Sequence, residues 1–546
     1  MSQTLVSDRI AELLQHYGAE FIVGFPENRL LNSAAALGVR PIIARTERVA
    51  VNIADGFARA SDGERFVPCV MQYGPGAEAA FAAVAQAFSD RTPMLLIPGE
   101  HDTATQPLLP GPSAAELYRA VTERSLALND PRDGPDVFRR ALSAVLEMRR
   151  GPVMVSVAND VLYAEDHGPP WEVRFPRRAR TQAAAEDVRA MAATLAAATA
   201  PVIVAGQGVL YARATEQLVQ LAEALDAPVV TTLNGKSAFP EDHPLSLGTG
   251  ARTRPTAVDR FYAEADVILG VGTSFSRSLY ITPLPQTARL GQIVEDPRDF
   301  ATGYDVDFGC LGDVKLVLSQ LLAELPSADD VRAATGDVRN RVATLRDRFR
   351  QDWLPRLMSD ASPLSPYRVV WELMHTVDRT RTVLTHDAGH PRDQVVPFYE
   401  TLVPRGYLGW GKSTQLGTGL GLAMGARLAR PDRLAVNIMG DAAFGMVGLD
   451  LETAVRCEIP ILTIVFNNGL MGGYTEYMPD AVARYAAHRL GGNYAEVATA
   501  LGAYAERVTR PQELRGALER CIAAVDAGRT ALLEAVTHEE PALALP

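Results

Sequence analysis

Residues 438–474 read IMGDAAFGMVGLDLETAVRCEIPILTIVFNNGLMGGY, and this stretch constrains the fold most tightly. An apolar run ends in Gly440-Asp441, a segment of helical period covers 449–457, and a β-rich run over 461–466 ends in Asn467-Asn468. A helix that crosses between two strands makes them parallel and brings both C-terminal ends to one edge of the sheet. Open α/β sheets bind their ligands at that edge. A carboxylate and a carboxamide side by side there are hard oxygen donors, suited to Mg²⁺ or Ca²⁺. The small residues Ala442, Ala443 and Gly445 let backbone N–H groups approach a phosphate. The expectation is a diphosphate held through a divalent ion. Gly-Asp and Asn-Asn are each ordinary turn signatures; it is their placement on two successive strand ends that carries weight.

A chain of 546 residues has room for three or four domains with cores of their own. The pattern predicts an α/β protein of three doubly wound, Rossmann-like units with parallel sheets, over 1–165, 183–325 and 360–546. In the first, strands over 20–25, 41–44, 66–72 and 94–98 end at one edge and assemble a cleft from Glu27, Asn28, Glu47, Gln72, Tyr73, Glu100 and His101. Glu47 opens a helix, where an acid is favourable for the helix dipole alone.

The Pro- and Arg-rich stretch 166–182 reads as a linker. In the second unit the turn Gly206-Gln207-Gly208 lacks the full dinucleotide fingerprint. The charged segment 329–352 reads as a solvated helix. The last unit begins with a helix and a strand over 382–384, followed by HDAGHPRD, which sets His386 and His390 at that strand end. Then GYLGWGKSTQLGTGLGLAMGARLA forms a Gly-rich loop feeding a helix.

Sixty-five acidic against 53 basic residues give a net charge of −12, which argues against nucleic acid or an anionic membrane as partner. No run approaches the ~18 apolar residues of a membrane span. Residues 1–18 read as an amphipathic helix rather than a signal peptide. Cys69, Cys310, Cys457 and Cys521 are scattered, with no zinc or disulfide pattern, so a reducing cytoplasm is expected.

Asp441 and Asn468 resemble the Gly-Asp-Gly to Asn-Asn signature of thiamine diphosphate (ThDP) enzymes, with Ala442 where the family usually has Gly. RTERVAVNIADGFAR and YGPGAEAAFAAVAQAFSDRTPML are similar to two segments of that family's pyrimidine-binding domain. Thr46 stands where many members have His, Glu27 where many have Gly, and Gln72-Tyr73 where Thr-Ser is common. The resemblance covers essentially the whole chain. The acetolactate synthase, pyruvate oxidase and benzoylformate decarboxylase group is nearest.

It implies a catalytic Glu47, hydrogen-bonded to N1′ of the cofactor, and a metal held by Asp441, Asn468 and the carbonyl of Leu470. Leu416 takes the position of the apolar residue that wedges between the cofactor's two rings. Cofactor binding falls on Pro26, Gly389, His390, Gln415, Leu416, Gly440, Asp441, Ala442, Ala443, Asn468, Leu470, Met471 and Gly472. Substrate contact falls on Glu27, Asn28, Gln72, Tyr73 and His101.

A homodimer or homotetramer with sites between subunits is implied. FAD remains open but is not favoured, because Thr273-Ser274-Phe275 replaces the Arg-Phe pair of acetolactate synthases. The leading expectation is decarboxylation of a 2-oxo acid with transfer of the acyl carbanion to a second carbonyl. Cleavage or acyloin formation on a CoA thioester or diketone, or a cofactor binder without catalysis, are the alternatives.

Overall fold

A computed structural model describes residues 4–26, 28–108, 111–146, 150–175, 179–326, 337–474 and 476–545. The expected Glu27 contact therefore lies outside the described residues, as do 329–336 of the charged segment.

Three six-stranded sheets follow one another. The first contains β1 (Phe21–Gly24), β2 (Arg40–Ile43), β3 (Cys69–Met71), β4 (Met94–Glu100), β5 (Arg124–Leu128) and β6 (Pro152–Ala158), in the order β2-β1-β3-β4-β6-β5. The second contains β7 (Pro201–Ala205), β8 (Val229–Thr232), β9 (Ser246–Gly250), β10 (Val267–Val271), β11 (Arg289–Val294) and β12 (Phe308–Leu311), in the order β12-β11-β10-β7-β8-β9. The third contains β13 (Thr382–His386), β14 (Tyr407–Leu408), β15 (Leu434–Gly440), β16 (Leu462–Asn467), β17 (Tyr504–Val508) and β18 (Ala531–Val536), in the order β14-β13-β15-β16-β18-β17.

Every strand pair is parallel. The first and third sheets thus share one strand order, whereas the middle one has the dinucleotide-fold order. Strands buried on both faces read as largely apolar runs, as Leu434–Gly440 does apart from Asn437 and Leu462–Asn467 apart from Thr463 and its final asparagine.

The outer two domains meet along two helices, Glu47–Ala60 and Gly419–Ala429, whose residues share one buried apolar cluster. Glycine makes this approach possible. A methyl group on Gly425 would lie 2.0 Å from the carbonyl oxygen of Ile53, and one on Gly56 would lie 2.2 Å from that of Leu422. Gly425→Ala is therefore expected to cost about 1–3 kcal/mol, the usual range for overpacking, because backbone rather than a flexible side chain must yield. A lower urea midpoint at unchanged slope would show it; an unchanged midpoint would mean that the helices separate freely.

Candidate active site

Gly440 ends β15 in register with Phe466 of β16, so Asp441 and Asn467-Asn468 emerge side by side. The helix begins at Asp441 itself and runs Asp441–Val447, earlier than the periodicity suggested, and a second helix covers Leu451–Arg456. Asp441 is buried; its two carboxylate oxygens accept the N–H groups of Ala442 at 2.8 Å and Gly469 at 2.9 Å. The second of these bonds latches the turn after β16 to the end of β15. Burial raises the Asp441 carboxyl, and the surrounding N–H groups oppose the shift.

The two asparagines have different tasks. Asn467 is buried and donates to Glu534 at 2.6 Å, a structural bond to β18. Asn468 is less buried, and its side-chain oxygen accepts only locally, from Leu470 N–H at 2.9 Å. Leu470 forms an isolated bridge with Arg489 whose hydrogen bonds run from Met471 to His488 and from Leu490 to Gly469, leaving the Leu470 carbonyl outside the pairing. One carboxylate, one carboxamide and one main-chain carbonyl are an oxygen set suited to Mg²⁺. Among the described residues no cluster of three or more His, Cys, Asp or Glu side chains offers a competing metal site.

Two more of the expected cofactor residues, His390 and Gly472, meet beside this point. A methyl group on Gly472 would meet His390 Nδ1 at 2.8 Å, so this ring rests on the loop after β16. Burial lowers the His390 imidazole. Gly389 and Gly445 have nothing within 4 Å of an added methyl, which leaves space beside Asp441 and His390.

The Gly-rich loop is held by three acceptors from two domains. Asp90 accepts the N–H of Gly411 and Lys412 at 3.3 Å each, Gln86 accepts that of Gln415 at 3.4 Å, and Asp387 accepts those of Gly417 at 2.8 Å and Gly419 at 3.0 Å. Leu416, half-buried, projects from this loop and packs against Ala388, Trp410 and Leu422. The Gln415 side-chain oxygen is buried without a hydrogen-bond partner.

Glu47 is the first residue of its helix and only 7% exposed. Thr46 caps the helix by accepting the Val49 N–H at 3.3 Å, and its hydroxyl donates to Asp450 of the C-terminal domain at 3.2 Å. The carboxylate lies against the turn after β3: a methyl on Gly76 would fall 2.5 Å from Glu47 Oε1 and 2.7 Å from the Gln72 Cβ. This explains the glycine in the Gly-Pro-Gly segment. Among the described residues no protein group hydrogen-bonds the Glu47 carboxylate, so in this largely buried residue the oxygens are free to accept from a ligand.

Several expectations need correction. Glu100 belongs to β4 rather than the cleft, and its carboxylate accepts the N–H of His101 at 3.0 Å and of Ala114 at 2.8 Å. Asn28 caps the helix Arg29–Ala36 and donates to the carbonyls of Met71 and Ile97, so its amide is already engaged. His386 is a core residue, stacked on Trp410 with ring centroids 5.1 Å apart, and burial pushes its imidazole down to about 3. Tyr73 and His101 do meet, edge to face at 4.8 Å, beside the partly exposed Gln72. Pro26 is exposed at the end of β1. Sequence reasoning missed Asp387, Asp90 and Gln86; the signal for the first was a carboxylate directly after a strand.

Three family models match the chain in succession: the N-terminal TPP binding domain of thiamine pyrophosphate enzymes over residues 5–125, their central domain over 188–321, and their C-terminal TPP binding domain over 387–535. The chain belongs to the thiamine pyrophosphate enzymes. Its curated relatives include a probable acetolactate synthase large subunit of Methanocaldococcus jannaschii, 30% identical over 99% of this chain and 93% of the relative. A probable 2-ketoarginine decarboxylase of Pseudomonas aeruginosa is 30% identical over 85% of this chain and 82% of the relative. A sulfoacetaldehyde acetyltransferase of Alcaligenes xylosoxydans is 27% identical over 98% and 92%.

In this thiamine pyrophosphate enzyme a separate cavity opens over the middle sheet, between β7 and β10, where the strand order reverses. It is lined by Gly206, Gln207, Thr273, Ser274, Phe275 and Lys412 but by neither Glu47 nor Asp441. No described helix is long and apolar enough to cross a membrane. All four cysteines are buried and free.

Proposed function

We propose that the protein is a ThDP- and Mg²⁺-dependent enzyme that decarboxylates a 2-oxo acid and passes the resulting acyl group to a second carbonyl, as an acetolactate synthase does. The supporting observation is Glu47, a largely buried residue whose carboxylate lies against Gly76 at the mouth of the first sheet and, among the described residues, accepts no hydrogen bond from the protein. A protein that merely bound the cofactor would have no physical need for an ionisable group at that point.

The residues present fit the cofactor. Asp441, Asn468 and the Leu470 carbonyl would hold Mg²⁺ against the diphosphate; Gly440, Ala442, Ala443, His390, Met471 and Gly472 would surround it. Gln415, with its buried unpaired oxygen, Gly389 and Pro26 would approach the rings, with Leu416 wedged between them. When bound, ThDP supplies a nucleophilic carbon and a cationic ring that accepts the electron pair released on C–C cleavage. Glu47 would accept a hydrogen bond from the pyrimidine ring and favour its protonation. Gln72, Tyr73 and His101 form the polar wall at which the donor and acceptor are distinguished.

The unit that acts is a homodimer or homotetramer with its sites between subunits, in the domain division 1–165, 183–325 and 360–546. Flavin has no part in this reading, and a yellow purified protein would contradict that.

The direct test is a panel of pyruvate and other 2-oxo acids with ThDP and Mg²⁺, following CO₂ and acyloin products. ThDP-dependent release of CO₂ with one donor is the expected result. Bound ThDP with no release from any 2-oxo acid would transfer the assignment to C–C cleavage on a CoA thioester or diketone.

A further inference from the structure

Arg48, the residue after Glu47, has no role in the reading above. Its Nε and Nη2 are buried and lack a hydrogen-bond partner. Its guanidinium lies against the Gly-rich loop: a methyl group on Gly417 would be 3.0 Å from Nη2. Burial lowers the guanidinium, and the attraction that offsets this comes from Asp387, in the other domain.

Asp387 is wholly buried and spends its oxygens on the backbone, accepting Ala388 N–H at 2.8 Å and then those of Gly417 and Gly419 on either side of the turn that follows Leu416. Burial pushes its carboxyl up to about 6; the three N–H groups and Arg48 oppose the rise. An ionised carboxylate at this depth needs a counter-charge. Arg48, from the other domain, makes no direct hydrogen bond to it; its guanidinium lies against Gly417, whose N–H Asp387 accepts, and supplies positive charge across that turn. The left-handed conformation of Gly417, with φ of 85°, leaves the space into which Arg48 fits.

We infer that Arg48 is a positioning residue: by neutralising Asp387 it fixes the Gln415–Leu416–Gly417 turn, and with it the placement of Leu416, against the N-terminal domain. The inference rests on the reading of Leu416 as the wedge between the cofactor rings. Arg48 touches no reacting atom in this account. Its removal moves the loop without removing a cofactor ligand.

The test compares Arg48→Met, which keeps the length of the side chain without its charge, with Arg48→Lys and Leu416→Ala. Steady-state rates, the near-ultraviolet circular dichroism of bound ThDP, and tryptophan emission of the cofactor-free protein are read for each. Trp410 packs against Leu416, and Trp410→Phe identifies its part of the emission. Arg48→Met is expected to lose about 10²-fold in kcat, the scale of a roughly 1 Å misplacement. KM should change little, the dichroism of the bound pyrimidine should change, and Arg48→Lys should recover most of kcat.

Wild-type kcat, dichroism and Trp410 emission in Arg48→Met would overturn the inference, as would a lysine variant no better than the methionine one. Undiminished kcat in Leu416→Ala would instead sink the wedge reading. The Trp410 emission of Arg48→Met needs no cofactor and would still decide whether the loop had moved.

Discussion

Glu47→Gln is expected to lower kcat by about 10²–10⁴-fold, the range that a positioned acid or base contributes, while ThDP and Mg²⁺ remain bound. The glutamine keeps the size of the side chain, so the contact with Gly76 and the cap formed by Thr46 survive. What disappears is the negative charge that favours a protonated partner at this buried point. Affinity for ThDP, measured by fluorescence quenching, should change far less than kcat. A variant with near-normal turnover would show that the carboxylate serves only the helix start, where an acid is favourable in any case.

Asp441→Ala is expected to act on binding instead. Loss of an outer partner of a metal site typically costs ~10–100-fold in metal affinity or activity, and loss of the only charged ligand should exceed that. The same change removes the acceptor of the Gly469 N–H, so the turn bearing Asn468 and Leu470 is released from β15 as well. Mg²⁺-dependent ThDP binding should then be undetectable at concentrations that saturate the native protein. Retention of that binding would exclude Asp441 as the metal ligand, and the oxygen set assigned to the cation would have to be sought elsewhere. The two variants thus separate the groups: one protein holds the cofactor but turns over slowly, the other fails to hold it.

The architecture was legible where the chain is buried on both faces. β15 and β16 are buried runs, apolar but for Asn437, Thr463 and the terminal Asn467, so their ends, and Asp441 and Asn468 upon them, could be assigned with little latitude. The edge strand β17 was missed for the converse reason. β17, Tyr504–Val508, is only partly buried and carries Glu506 and Arg507, so its composition resembles a surface segment. Strand lengths produced the errors at the site. β4 continues through Glu100 and β13 through His386, which turns one expected cleft acid into a loop anchor and one histidine expected at a strand end into a core residue. Asn28 could not be distinguished from a substrate group by residue type, because the amide that would bind a ligand is equally apt as a helix cap. Asp387 and Arg48 belong to segments far apart in the chain, and their relation exists only once the two domains are packed.

The glycine-lined seam bears on how the molecule comes apart. Residues of the first and third domains form one apolar cluster across it, from Val49, Ile53 and Phe57 to Leu420, Ala423 and Met424, whereas most of the middle domain's core is a cluster of its own running from Ala183 to Val342, with, among the described residues, only Leu233 and Ala251 joining the third domain's. Cooperative units follow shared core rather than sequence neighbourhood. The chain's two ends are therefore expected to gain and lose structure together, and the intervening domain, although covalently between them, is the piece able to melt by itself.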